Sequence, residues 1–249
     1  MLDITDRDGV RTLRMAHGKA SALDLQFCEA LTSAFREASS AGAVVLTGTG
    51  RIFSAGVDLP KILEGGESYT RRFLGAMDEC FRSLFELERP VVAAINGHAI
   101  AGGCILACAC DVRLMADGDA TIGVPELAVG VPLPALPFEI LRHAGGDPLV
   151  RRLVMGCENL PADQALRIGL VDRLIPAAEL DSAALSEARR LASVPPSSFA
   201  LAKRQLRAPA LERVAGLKAH DERVVREWMS AEVRASIAAF VEKKLRRKE

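Results

Sequence analysis

The sequence predicts an α/β fold that gives way to a purely helical C-terminal region. Three observations carry this prediction. Short, almost wholly apolar runs at Ala43–Thr47, Val91–Ile95 and Val112–Ala116 have the length and composition of buried strands. They alternate with longer stretches of helical periodicity, the arrangement that crossover units and parallel pairing require. After Pro195-Pro196 the strand-like runs cease, and helical patterns rich in charge take over. Residues 1–194 are therefore read as the core and residues 195–249 as a helical region.

The chain opens with a hairpin pattern: Leu2 to Thr5, a turn at Asp6-Arg7-Asp8-Gly9, then Val10 to Met15. Asp24 has the short acceptor side chain of an N-cap for a helix running to about Ser40. Leu25, Cys28, Leu31 and Phe35 form its inner stripe, and Gly42 closes it. Strand Ala43–Thr47 leads into a loop containing Gly48, Gly50 and Gly56. A long amphipathic helix is expected from Tyr69 to Glu88, its inner face marked by Phe73, Met77, Cys80, Phe81, Leu84 and Phe85, with Pro90 ending it. Strand Val91–Ile95 follows, then a tightly packed helix of small residues from Gly102 to Cys110. Two further short strands are expected at Val112 to Ala116 and Leu170 to Ile175.

Composition excludes several classes of function. The 249 residues carry 32 basic and 32 acidic side chains, so the chain has no broad basic face for nucleic acid. The first residues lack the basic start and apolar run of a secretion signal, and no apolar run approaches the length of a membrane span. None of the six cysteines forms a Cys-x-x-Cys pair; Cys104, Cys108 and Cys110 fall in an apolar segment and read as small buried residues of a chain kept reduced, as in the cytoplasm. The histidines lie at no metal-ligand spacing, and no metal site is expected.

Glycine marks three segments next to apolar runs: Phe53-Ser-Ala-Gly-Val-Asp-Leu59, Asn96-Gly-His-Ala-Ile-Ala-Gly-Gly-Cys104 and Ile122-Gly-Val-Pro-Glu-Leu127. Glycine lets a backbone approach a ligand closely, and N–H groups opening a helix lack internal partners and carry the positive end of its dipole. The Gly102-Gly103 helix start thus reads as an anion or oxyanion site, although close helix packing demands glycine too. These segments, with Asp111-Val-Arg113, Gly169-Leu-Val-Asp172 and Phe240-Val-Glu-Lys243, resemble in order and separation the successive signatures of the enoyl-CoA hydratase/isomerase (crotonase) family.

The resemblance implies a spiral core of β-β-α units followed by a helical region that assembles the chain as a homotrimer or a dimer of trimers. It implies an acyl-CoA thioester as the partner molecule, with coenzyme A entering as part of the substrate and no separate cofactor. The backbone N–H groups of Val57 and Gly102 would hold the thioester oxygen, on which enolate charge collects. Ala55, Asp58, Ile105, Pro132, Phe240 and Lys243 would lie around the substrate, Phe240 and Lys243 reaching the nucleotide end of a coenzyme A bound to a neighbouring subunit. Asp58 also reads as a helix cap, the apolar segment 131–138 as an acyl-pocket wall or simple core, and the basic end Lys243 to Lys248 as a solvated helix terminus.

Hydratases of the family activate water with two glutamates. The position of one holds Ile105, three residues past Gly102; the position of the other holds Glu126. By spacing alone Glu126 is a solvated loop carboxylate, and only the motif gives it a role. A single glutamate beside an apolar side chain resembles the enoyl-CoA isomerases, in which one base moves a proton from C2 to C4. Hydration or another reaction of the family, and a non-catalytic acyl-CoA-binding subunit, are the alternatives. His98 is expected to be structural or supporting, Asp111 and Arg113 to form an ion pair or turn contact, and Glu139 to face solvent or pair with Arg142.

Overall fold

Three apolar runs, two of them buried along their whole length, build the centre of the protein, and the chain winds around them. The computed structural model describes residues 1–246. Strands β1 (Leu2–Arg7) and β2 (Val10–Met15) form the expected antiparallel hairpin, in register from Leu2 opposite Met15 to Arg7 opposite Val10. Helix α1 (Leu25–Glu37) starts where Asp24 Oδ1 accepts the Phe27 N–H at 2.7 Å. It leads to β3 (Ala43–Thr47), which pairs in parallel with β2.

A short β4 (Ile52–Ser54) then precedes α2 (Leu59–Phe85), which begins well before the expected Tyr69. Asp58 caps its first turn, accepting the Lys61 N–H, and Gly66 (φ 66°) breaks the helix into two segments. The left-handed backbone that glycine permits here kinks the path between two helices. Next come β5 (Val91–Ile95), β6 (His98–Ile100), α3 (Gly102–Ala109), β7 (Val112–Ala116), β8 (Thr121–Gly123) and the one-turn α4 (Glu126–Val129). Helix α5 (Ala135–Val150), broken at Gly145-Gly146, runs into a π-helical turn at Arg151–Met155. Strand β9 (Asn159–Pro161), α6 (Ala162–Arg167), β10 (Arg173–Ile175) and α7 (Leu180–Ala192) complete the core.

Successive turns each contribute one strand to a six-stranded sheet, β1-β2-β3-β5-β7-β10, and one to a smaller sheet, β4-β6-β8-β9. This is the β-β-α spiral. The central strands β3 and β5 are buried along their whole length, which explains their lack of polar alternation. The second sheet escapes sequence reading because its strands are three residues long, too short to show a period. Strand β10 is shorter than expected because Leu170 and Val171 are buried in the turn that precedes it.

The helical region comprises α8 (Pro196–Ala215), α9 (Lys218–Trp228) and α10 (Ala231–Arg246). It is not a detached unit: Ala210, Val214, Val224, Trp228, Val233 and Ile237 belong to the main hydrophobic core. Asp111 fastens α8 to that core. It accepts the Val91 N–H and pairs with Lys203 and with Arg207, both at 2.7 Å and both buried, so its partners are not Arg113. Arg113 pairs instead with Asp172. Glu139, far from facing solvent, is 1% exposed and held between Arg142 and Arg213. Among the described residues no helix is long and apolar enough to cross a membrane.

Candidate active site

Two chain reversals place backbone donors side by side. At the first, Gly56 adopts φ +77°; a Cβ there would lie 2.5 Å from Ala101 Cβ, 2.8 Å from Ile100 O and 3.1 Å from Gly102 N. Only glycine allows the loop before α2 to approach the start of α3 this closely. At the second, Ala101 takes φ 57° and ψ −126°, a strained conformation for a residue with a side chain. The Ala101 N–H donates to Gly123 O at 2.8 Å and its carbonyl accepts from Cys104 and Ile105, which ties the reversal down from both sides. Gly102 is then the first residue of α3, with no preceding turn to accept its N–H. Among the described residues neither the Val57 nor the Gly102 N–H donates a hydrogen bond.

Val57 and Ala101 line a cavity of about 80 Å³ whose other walls are Ala55, Leu59, Ile100, Pro125, Glu126, Val129, Val131, Trp228, Phe240 and Lys244. Glu126, the first residue of α4, is one of these walls. Its Oε2 is buried and has no hydrogen-bond partner. Loss of water in this apolar setting pushes its carboxyl up to about 8, against a smaller opposing effect of its own backbone N–H. A lone carboxyl so placed can take up and release a proton near neutrality.

The structure thus gathers Ala55, Val57, Glu126 and Phe240 around one cavity, with Gly102 next to Ala101 on its wall. The remaining candidates lie elsewhere. Ile105 is 1% exposed, inside α3 rather than on the lining. Asp58 is occupied as the cap of α2. Pro132 acts through its carbonyl, which accepts the Trp228 indole N–H at 2.9 Å, while its neighbour Val131 forms the wall. Lys243 is exposed; adjacent helix residues point about 100° apart, and it is Lys244 that lines the cavity, 5.2 Å from the Phe240 ring. Helix α10 packs on α2, α4 and α9 of its own chain, and Phe240 lines this cavity. Arg247 and Lys248 lie outside the described residues.

His98 stitches the small sheet: its Nδ1 accepts the Thr121 N–H at 3.1 Å, linking β6 to β8. Sequence reasoning missed Leu59, Val129, Trp228 and Lys244. The three apolar residues look like core in any periodicity, and only the folding back of α9 and α10 makes Trp228 and Lys244 part of a site. A wider cleft of about 670 Å³ between α1, the end of α2 and the start of α8 is open, and its charges pair among themselves, as in Arg36–Glu79 and Arg82–Glu86.

A spiral of β-β-α turns, with two unpartnered backbone N–H groups and a buried carboxylate at one cavity, is the crotonase fold with a candidate active site. The enoyl-CoA hydratase/isomerase family matches residues 5–247, and the chain belongs to that family. It is 33% identical to a short-chain-enoyl-CoA hydratase of Clostridium acetobutylicum, over 81% of this chain and 78% of the other. It is 26% identical to human mitochondrial enoyl-CoA delta isomerase 1, over 83% and 70% of the two chains. The crystal structure of human mitochondrial delta3-delta2-enoyl-CoA isomerase superposes with a TM-score of 0.94 at 25% identity, covering 100% of this chain and 99% of that one.

Proposed function

We propose that the protein shifts the double bond of a 3-enoyl-CoA to the 2-position, with Glu126 as the only proton carrier. The observation that carries this reading is a single buried carboxylate, its Oε2 unpartnered, in a cavity whose other side chains, apart from Lys244, are apolar. With the thioester oxygen between the Val57 and Gly102 N–H groups, ionised Glu126 removes a proton from C2. The electron pair spreads over a dienolate whose charge rests on that oxygen, and the same carboxyl returns the proton at C4. Preorganised donors act where the charge develops, one such donor being worth about 100- to 1000-fold in rate. Ile105 supports isomerisation over hydration because it leaves no second carboxylate on α3 to orient water. The same reading carries assembly into a trimer or a dimer of trimers, which analytical ultracentrifugation measures directly.

Incubation with 3-enoyl-CoA in deuterated water, followed by absorbance and mass, tests the reaction. Conjugated product of unchanged composition, apart from exchanged deuterium, is expected, and Glu126→Gln should bind the thioester yet turn it over at least about 1000-fold more slowly. The hydratase name of the Clostridium relative favours a second reading, water addition to a 2-enoyl-CoA. A product heavier by one water would establish it in place of the first.

A further inference from the structure

The cavity lining runs from solvent to core: Lys244, on the last turn of α10, is exposed, whereas Trp228, the last residue of α9, is 2% exposed. A nucleotide-bearing thioester is charged at one end and apolar at the other, so its head belongs at the lysine mouth and its acyl tail runs past Glu126 toward the indole. The indole cannot swing aside freely. Its N–H donates to the Pro132 carbonyl at 2.9 Å, and Val233 and Ile237 of α10 share its buried core. Val129 and Val131 close the sides.

We infer that Trp228 is the stop of the acyl pocket and limits the substrate to short acyl groups; the inference rests on the acyl-CoA reading above. A water-sized atom needs about 10–15 Å³ of such space. The cavity of about 80 Å³ therefore holds about five to eight non-hydrogen atoms. With the thioester carbon, oxygen and sulfur among them, room remains for an acyl chain of about three to six carbons, the thioester carbon included. Beyond that length each methylene meets the indole instead of gaining the roughly four-fold in affinity that burial provides.

The test uses saturated thioesters, so binding is read without turnover. Butyryl-, hexanoyl- and decanoyl-CoA are titrated into the full-length protein by calorimetry, and into the wild type also by fluorescence, since Trp228 is its single tryptophan. Wild type should bind butyryl- and hexanoyl-CoA with a change in indole emission, and decanoyl-CoA at least about ten-fold more weakly. Trp228→Ala and Trp228→Leu should abolish that difference, gaining at least about ten-fold for decanoyl-CoA with no gain for butyryl-CoA. If those variants do not fold, Trp228→Phe keeps an aromatic plug of smaller size and should shift the optimum by one or two methylenes. Equal wild-type affinity for all lengths, or a parallel loss for all three in the variants, overturns the inference alone. A wild type that binds none of the thioesters overturns the acyl-CoA reading with it.

Discussion

Raising the pH from 6 to 8 titrates Glu126 and probes its assignment as the proton carrier. Burial pushes this carboxyl up to about 8, and no cation contributes to holding it ionised. At pH 6 only about one molecule in a hundred of the free enzyme then carries the base form, at pH 7 about one in eleven, and at pH 8 half. Since kcat/KM reports ionisation in the free enzyme, it should climb about 50-fold over this interval and level off above pH 9. The assay is conjugation of a 3-enoyl-CoA, followed by absorbance from pH 5.5 to 9.5 at constant ionic strength. A profile flat between pH 6 and 8, as a group near the ordinary carboxylate value of about 4.3 would give, would refute the placement of Glu126 in a dry site. Stability must move the opposite way. The folded value lies above the unfolded one, so the group's contribution is whole below about pH 4.3 and is lost as the pH rises through about 8. The full loss is at most about 5 kcal/mol. Glu126→Gln removes it, so the variant's advantage in Tm over wild type should grow from pH 5 to pH 9.

Three further outcomes are expected. Gly56→Ala forces a Cβ to within 2.5 Å of Ala101 Cβ and 3.1 Å of Gly102 N at φ +77°; it should cost at least about 100-fold in kcat by spoiling the donor pair, and an unchanged kcat would dismiss that pair. Ile105→Glu puts a longer, charged side chain one turn past Gly102, where the 1%-exposed isoleucine stops short of the cavity lining; hydration of a 2-enoyl-CoA should rise above wild type if that carboxylate reaches the cavity, while stability falls by about 2–4 kcal/mol, and mass spectrometry of the product decides it. Asp111→Asn strips the counter-charge from Lys203 and Arg207, both under 9% exposed. Unfolding free energy should drop by about 3–5 kcal/mol, lowering Tm by about 10 °C, and a shift under 2 °C would show that the pairs do not hold α8 to the core.

Much of this protein is written locally. Val44, Val45 and Leu46 are apolar because both faces of their strand are covered, and such a run is visible without any partner. Asp24 announces α1 because a cap is a contact between neighbours three residues apart. The glycines around residues 56 and 102 and the carboxylate at 126 are legible as ordered motifs, since each answers a backbone constraint within its own loop. Tertiary structure alone decides the rest. Nothing in the order of residues shows that Gly56 abuts Gly102, that α10 folds over its own chain so that Lys244 and not Lys243 reaches the cavity, or that Trp228 ends up hydrogen-bonded to Pro132. Nor does sequence disclose the chemistry of Glu126. A carboxyl acquires its proton affinity from the water it has lost, and that loss is the work of side chains distant in sequence, from Leu59 to Phe240, meeting in space.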